Sequence, residues 1–421
     1  MKICRKRRLS TFALVLFISS MFAGVLSAND KTENIPVKND TSEPAFTSIS
    51  QRFSNLTISG MVKVDFIYDL NEPSGDRINY NTISTDDSNV HGQYRIHARE
   101  SRIGAKYIQD INGKELSAII EGDFYGGGTN SPSGSEKISN AVNLRLRHAY
   151  ISYDEWVLGQ TWSNYVDVKS FPETLDFSNE TGQAFIRQAL ISYQHTLDSF
   201  KFSYSFENPE TDIYILEDMF EEGVDFQTID PIVDFTAKAK YQRSWGHVSL
   251  QAVARKMKVY INTKGISEFG YGVGVSGKIN LTPQDLLKFH YSQGDGIGRY
   301  IQEVAGSSGL IIQSSVDPEN EKASLTLLKA KGGYIGYQHR LGKTLRANIN
   351  SGFIDIDYSS MKGNAFVSKR TKSLISVHGN LIWSVLPNLE IGLEHSIAKL
   401  KTVDGDSGTI KRLQLSTTFR F

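Results

Sequence analysis

The chain has 421 residues, with 46 basic and 46 acidic side chains, 39% apolar residues and a single cysteine, Cys4. That balance offers no global basic patch for nucleic acid, and beyond the first residues no segment supplies the roughly 18 consecutive apolar residues of a transmembrane helix. Transmembrane strands, which alternate apolar and polar residues, are not excluded.

Residues 1–28 open with five basic side chains (Lys2, Arg5, Lys6, Arg7, Arg8), run through an apolar stretch from Leu9 to Phe22, and end on small residues around Ser27 and Ala28. The pattern predicts a secretory signal peptide cleaved just after Ser27 or Ala28; an anchoring helix is the alternative, but the apolar core is short for a span of roughly 20 residues. Losing its five basic residues leaves a net charge near −5 on a mature chain of about 393 residues. Cys4 precedes the apolar stretch, so the exported chain has no thiol for a disulfide and no lipid-attachment cysteine. Residues 29–55 are polar, lack heptads and read as a flexible lead-in.

From residue 56 onward alternating segments follow one another. At 269–281, Phe269, Tyr271, Val273, Val275, Gly277, Ile279 and Leu281 alternate with glycine, serine, lysine and asparagine. At 200–207, Phe200, Phe202, Tyr204 and Phe206 oppose Lys201, Ser203, Ser205 and Glu207. About sixteen such strands begin near residues 56, 92, 115, 142, 155, 184, 199, 234, 246, 268, 285, 323, 343, 372, 388 and 411. Short turns at 111–114, 153–155, 196–199, 244–247, 281–284, 341–343 and 386–388 alternate with long polar loops at 70–91, 126–141, 161–183, 208–233, 259–267, 295–322, 356–371 and 401–410. This rhythm predicts an all-β fold, a transmembrane antiparallel β-barrel of about 16 strands with short periplasmic turns, long extracellular loops and periplasmic termini. A soluble sandwich also alternates, but its connections need not, and its apolar faces must find a second sheet. The closing RLQLSTTFRF sets Phe419 and Phe421 toward lipid, where the last strand can seal against the first and leave no open edge in hydrocarbon.

Sixteen strands enclose an aqueous lumen. Alternation turns Lys63, Asp65, Lys201, Lys238, Lys240, Arg255, Lys278, Lys288, His290 and Arg346 inward, a mostly cationic set, while residues 207–234 hold ten acids and no Lys or Arg in an expected external loop. Arg95, His97 and Arg99 share a face of YRIHARES, Arg145 and Arg147 share a face of NLRLRHAY, and Arg187 can join them, with Glu121 and Asp123 opposite. Arginines and lysines at a constriction favour anions through Coulomb attraction and the guanidinium fork. The alternative is that these are wall ion pairs that hold shape and select nothing. Ile103 falls in step with Arg99, so a bulge near Ser101 is expected to flip the register. The 161–183 connection, with aromatics and one proline, is expected to fold inward as the constriction; lying on the rim is the alternative.

HARESRIGAKY (97–107), IEGDFYGG (120–127), NLRLRHAYISY (143–153), LGQTWSNY (158–165), FPETLDF (171–177) and RQALISY (187–193) together resemble the DcaP-like porin family of Gram-negative outer membranes, densely over about 90–195. The terminal Phe is similar to the assembly signal of outer-membrane proteins. The resemblance implies a trimeric sixteen-stranded porin for small negatively charged solutes such as dicarboxylic acids, with Arg95, Arg99, Arg145, Arg147, Arg187 and the 161–183 loop lining the channel. One family member carries an N-terminal coiled coil, which the polar 29–55 segment does not match.

Catalysis finds little support: no HExxH or GxSxG appears, no cysteine remains after the leader, and GYGVGVSG (270–277) sits within a strand pattern where small residues line the lumen. No cofactor or metal is expected. The partners expected are small anionic solutes, membrane lipid and lipopolysaccharide, and two further copies in a homotrimer, with no nucleic acid. The rival readings are a surface binding or adhesion barrel with a plugged lumen, and an outer-membrane hydrolase built on the acidic 207–234 loop.

Overall fold

A computed structural model describes residues 55–86, 92–126, 142–216, 220, 223–313, 323–361 and 365–421. The expected signal peptide and nearly all of the lead-in lie outside these residues. Among the described residues there is no α-helix, and the strands form one closed antiparallel barrel with a small side sheet. The barrel has sixteen strands. Each pairs with its neighbours in sequence, and the circle closes where Leu56–Asp69 meets Ser407–Arg420 in the register Val62↔Phe419 to Asp69↔Arg412. The last residue completes the seal: the Phe421 amide donates to the Gly60 carbonyl at 3.1 Å, and the Gly60 amide donates back at 2.9 Å. No backbone edge is left for hydrocarbon.

Alternation sets the two faces of every strand. On the tenth strand, Lys264–Asn280, Phe269, Tyr271 and Val273 are 65%, 62% and 54% exposed outward, while Gly270, Gly272 and Gly274 between them are buried. On the first, Val62 and Phe66 face out while Lys63, Asp65 and Asp69 are buried inside. This is the inverse of a soluble core, apolar toward lipid and polar within.

The second strand is two segments, Gln93–His97 and Arg102–Ile111. Its register against the first runs Ile67↔Arg95 and Asp65↔His97, then Met61↔Arg102 and Gly60↔Ile103, one residue longer on the second strand. The bulge falls where the phase of Ile103 requires it, and it puts Arg102 on the inner side and Ile103 on the outer. A second bulge lies between the third strand, Lys114–Gly126, and the fourth, Asn143–Tyr153: Glu121 pairs with His148 and Gly122 with Leu146, leaving Arg147 as the extra residue.

Three connections differ from expectation. The 259–267 segment is no long loop: the ninth strand, Gly246–Ile261, and the tenth are the longest pair and meet in a two-residue hairpin with Asn262 at φ 51°. Its polar residues read as loop, but a strand rising above the membrane needs no apolar outer face. The 401–410 segment is likewise a tight turn between Leu389–Thr402 and Ser407–Arg420. Ala323–Leu327, expected to begin the twelfth strand, belongs to the side sheet with Gly309–Gln313 and Ile213–Ile215, and the barrel strand is Lys329–Arg340.

An apolar core does exist inside the extracellular half. Ile78, Tyr80 and Ile83 of the first long loop, Tyr165 and Val166 of the third, and Ile297, Tyr300, Ile301 and Val304 of the sixth pack on inward Val253, Leu374 and Leu400. The mouth is therefore shaped by three loops packed on one another.

Candidate functional site

The third long loop, residues 163–186, leaves the fifth strand (Trp156–Trp162) and crosses to the far inner wall. Tyr165 donates to the Ser292 hydroxyl at 2.9 Å, Ser170 meets the Tyr334 hydroxyl at 2.9 Å, and the Thr181 amide donates to Ser376 at 3.0 Å. These partners sit on the eleventh strand, Asp285–Asp295, the twelfth, and the fourteenth, Thr371–Leu386. The small inward residues of the tenth strand make room: a Cβ at Gly274 would lie 3.0 Å from the Tyr165 hydroxyl, and one at Gly272 2.8 Å from Ile297 of the sixth loop. At the loop's far end, Gly182 adopts φ +80°, and a Cβ there would lie 2.2 Å from the Phe353 carbonyl oxygen.

Three of the four carboxylates of the loop are spent on this crossing. Asp167 accepts from Lys240 at 2.7 Å and lies 2.6 Å from the His247 ring nitrogen; burial opposes its ionisation, but His247 and Lys240 hold its pKa well below the usual carboxylate value. Glu173 takes the Arg346 fork at 2.6 and 2.8 Å. Asp176 accepts from Arg412 at 2.8 Å, and although it is buried that guanidinium keeps its pKa below the ordinary value. The main chain is held as well: Leu175 donates to Glu394 at 2.8 Å, and its carbonyl accepts from Lys63 at 2.6 Å.

Glu180 is the exception. Fully buried, it has no hydrogen-bond partner at either carboxyl oxygen among the described residues, and burial raises its pKa to about 7. Glu303 of the sixth loop accepts from the Gly182 amide at 2.9 Å, leaves its other oxygen unpartnered, and is raised by burial to about 8. Where the third and sixth loops meet, Glu303 thus stays largely protonated at neutral pH and Glu180 keeps a substantial protonated fraction.

The opposite wall carries the arginines. Arg145 makes a bidentate contact with Asp123 at 2.9 and 2.7 Å, and Arg147 binds Glu121 at 2.6 Å and Asp123 at 2.7 Å. Arg95 and Arg99 both reach Asp76 of the first loop, Arg95 at 3.0 Å, and His97 contacts the Asp76 carbonyl at 2.8 Å. Arg187 has no acidic partner among the described residues; its guanidinium lies 3.8 Å above the Trp162 ring and 4.9 Å from that of Phe185, with Nε buried and unbonded. Among the described residues Arg102 comes no nearer a carboxylate than 3.7 Å, to Glu100, which is shared with Lys63, and its Nε is also unbonded.

The structure therefore gathers Arg145, Arg147, Arg187, Glu121 and Asp123 and sets Arg95, His97 and Arg99 beside them around Asp76. Lys238 and Lys240 lie apart: they anchor the loop, Lys238 donating to the Val166 carbonyl at 2.9 Å. Sequence reading missed Arg102, although the Ile103 phase shift pointed to it, and it missed Asp76, Asp167, Glu173 and Glu180, whose loops carry no periodicity. Beside the 341–344 turn, an open cavity of about 600 Å³ gathers Lys278, Lys288, Arg340, Lys343, Arg346 and Arg420 against one lining acid, Glu173.

A family model described as DcaP outer membrane protein matches residues 27–421. Among solved structures, the outer membrane channel DcaP of Acinetobacter baumannii is similar at a TM-score of 0.72 and 21% identity, covering 87% of this chain and 97% of that one. The anion-selective porin from Comamonas acidovorans is similar at a TM-score of 0.54 and 11% identity, over 87% of this chain and 99% of that one. OmpF of Salmonella typhi, in complex with daunomycin, is similar at 0.54 and 14% identity, over 87% and 97%. No curated protein matches the chain.

Proposed function

The chain belongs to the DcaP outer membrane protein family and is an outer-membrane channel, and from that premise we propose that it is a diffusion porin preferring small anions, with dicarboxylates as the solute class. The observation that carries the preference is the unequal use of charge across the lumen. Four guanidiniums, Arg102, Arg145, Arg147 and Arg187, face the two carboxylates Glu121 and Asp123, while the ionised carboxylates of the crossing loop are bound to the other wall. An unpartnered guanidinium beside stacked rings presents a planar donor fork to a carboxylate, and low-dielectric walls lengthen its reach. The basic cavity at the turn side gives such a solute a second cationic surface on its way out. The loop is then the constriction, and Arg95, His97 and Arg99 flank the approach to it.

The DcaP and OmpF neighbours share the barrel, and the Comamonas neighbour is named as anion-selective, which agrees with this reading. The trimer rests on the outward patch that includes Ala105, Ala118 and Ala149, where small side chains let barrels approach closely. Sedimentation in detergent tests it, and a monomer at all concentrations rejects it.

Planar-bilayer recording is the decisive experiment. Stepwise conductance with a reversal potential on the chloride side in a KCl gradient is expected. A folded, silent barrel would instead support the plugged adhesion reading, which the packed loops at the mouth favour. A cation-side potential would remove the anion preference alone.

A further inference from the structure

The outer face carries a charged feature that passage through the lumen does not use. Along the fifteenth strand, Leu389–Thr402, the outward residues run Leu389, Ile391, Leu393, His395 and Ile397, then change abruptly to Lys399 and Lys401, both exposed. On the neighbouring Ser407–Arg420, the outward Leu415 and Leu413 give way to exposed Lys411. Ladder pairing brings the three together: Lys411 lies opposite Ile397, Lys399 opposite Thr409 and Lys401 opposite Ser407. Lys399 and Lys401 are two residues apart on one strand, roughly 7 Å, and Lys411 lies on the diagonal next to Lys399, roughly 7–8 Å away. On the other side the fourteenth strand, Thr371–Leu386, sets outward Ile375 against Lys399 and Ser373 against Lys401, so the apolar surface ends at the same level there.

None of these three ammonium groups has an acidic partner among the described residues. The nearby carboxylates are occupied: Asp404 is 3.0 Å and Asp406 2.5 Å from Lys369, and Asp355 is 3.2 Å from Lys331. Three unpaired cations at the upper edge of a lipid-facing apolar band are unfavourable in a neutral interface and well placed in an anionic one. This end of the strands carries the long loops, which places it in the outer leaflet.

We propose that Lys399, Lys401 and Lys411 form a binding site on the lipid-facing wall for the phosphorylated headgroup of an outer-leaflet glycolipid. Its acyl chains lie along Ile375, Val377, Ile397 and Leu415, and its phosphates are held among the three ammonium groups. Two phosphates on adjacent sugars span such a triad better than one. The site rests on the outer-membrane placement and not on anion passage, so channel recordings and lipid binding can fail separately.

The test uses the full barrel in neutral detergent, titrated with diphosphoryl lipid A and with the same lipid after enzymatic removal of both phosphates, bound copies being counted by native mass spectrometry. Wild type should bind the diphosphoryl form at least tenfold more tightly. The Lys399→Gln, Lys401→Gln, Lys411→Gln variant should lose that difference, while Lys329→Gln with Lys331→Gln should keep it and conductance should be unchanged. Inorganic phosphate at millimolar concentration should not displace the lipid; displacement would mean a simple anion site and overturn the proposal. Equal binding of the two lipid forms, or full binding by the triple variant, would overturn it as well. Should the triple variant not refold, wild-type affinity must fall steeply between 50 and 500 mM salt and Lys411→Gln alone must weaken it, and failure of either overturns the site.

Discussion

Two walls of the same barrel use the same side chains to opposite ends. On the wall that runs from the eighth strand, Asp234–Arg243, to the sixteenth, Ser407–Arg420, three cations are matched with carboxylates of the crossing loop, Lys240 with Asp167, Arg346 with Glu173 and Arg412 with Asp176, and their charge is consumed in holding the loop. From the second strand to the sixth, Arg187–Leu197, cations outnumber local acids, and among the described residues Arg187 is left to aromatic rings alone. A count of inward lysines and arginines cannot separate these roles. What separates them is whether a carboxylate from another part of the chain reaches each one.

The comparison breaks most visibly at Arg412, whose side chain is fully buried between Asp69 and Asp176. Arg412→Ala leaves two buried carboxylates without their cation and is expected to cost about 3–5 kcal/mol. Urea unfolding in detergent measures this, and larger, noisier conductance should accompany it as the loop loosens. A loss below about 1 kcal/mol would mean the loop is held elsewhere.

Arg187→Gln should behave in the opposite way. No acid is abandoned, so unfolding should be unchanged within error, while the chloride-to-potassium permeability ratio falls by about fivefold, the effect of roughly 1 kcal/mol from one solvated charge near the path. Arg145→Gln with Arg147→Gln should lower both selectivity and stability, because Asp123 is fully buried between them. An unchanged ratio in every arginine variant would favour the wall-pairing alternative.

The junction of the two loops should respond to pH. Glu180 and Glu303 have folded values of about 7 and about 8, above the usual 4.5. The folded state therefore holds more protons than the unfolded state between these limits. Docking is strongest below pH 4.5, weakens as pH rises through about 7 and 8, and is flat beyond. The apparent melting temperature should fall from pH 6 to pH 9, and Glu303→Gln should remove most of the slope. A flat wild-type profile rules out the buried pair as a pH-sensitive element. The smallest effect belongs to exposed pairs: Lys106→Gln, 3.8 Å from Glu115, should change stability by about 0.5 kcal/mol or less.

Much of this was legible in the chain itself. The expected starts at 56, 92, 115, 142 and 155 fall within a residue of the observed strands because each transmembrane strand must show lipid one apolar face, and a period of two is visible without any partner. The bulge before Arg102 was legible for the same reason, since a phase error in a strict alternation has few remedies. The Asn262 hairpin was not, because above the membrane neither face is constrained to be apolar. The loop partners were less legible still: Asp176 and Arg412 are 236 residues apart, and nothing in the spacing of either announces the other.

By itself the sequence determined which side of each strand meets lipid and which meets water, because that choice is repeated residue by residue along a local period. Only the tertiary structure decided which cations are neutralised, which carboxyls stay protonated and which lysines remain unpaired on the outer wall. Those outcomes depend on distances between segments far apart in the chain, and Coulomb and desolvation energies are set by such distances, not by order along the backbone.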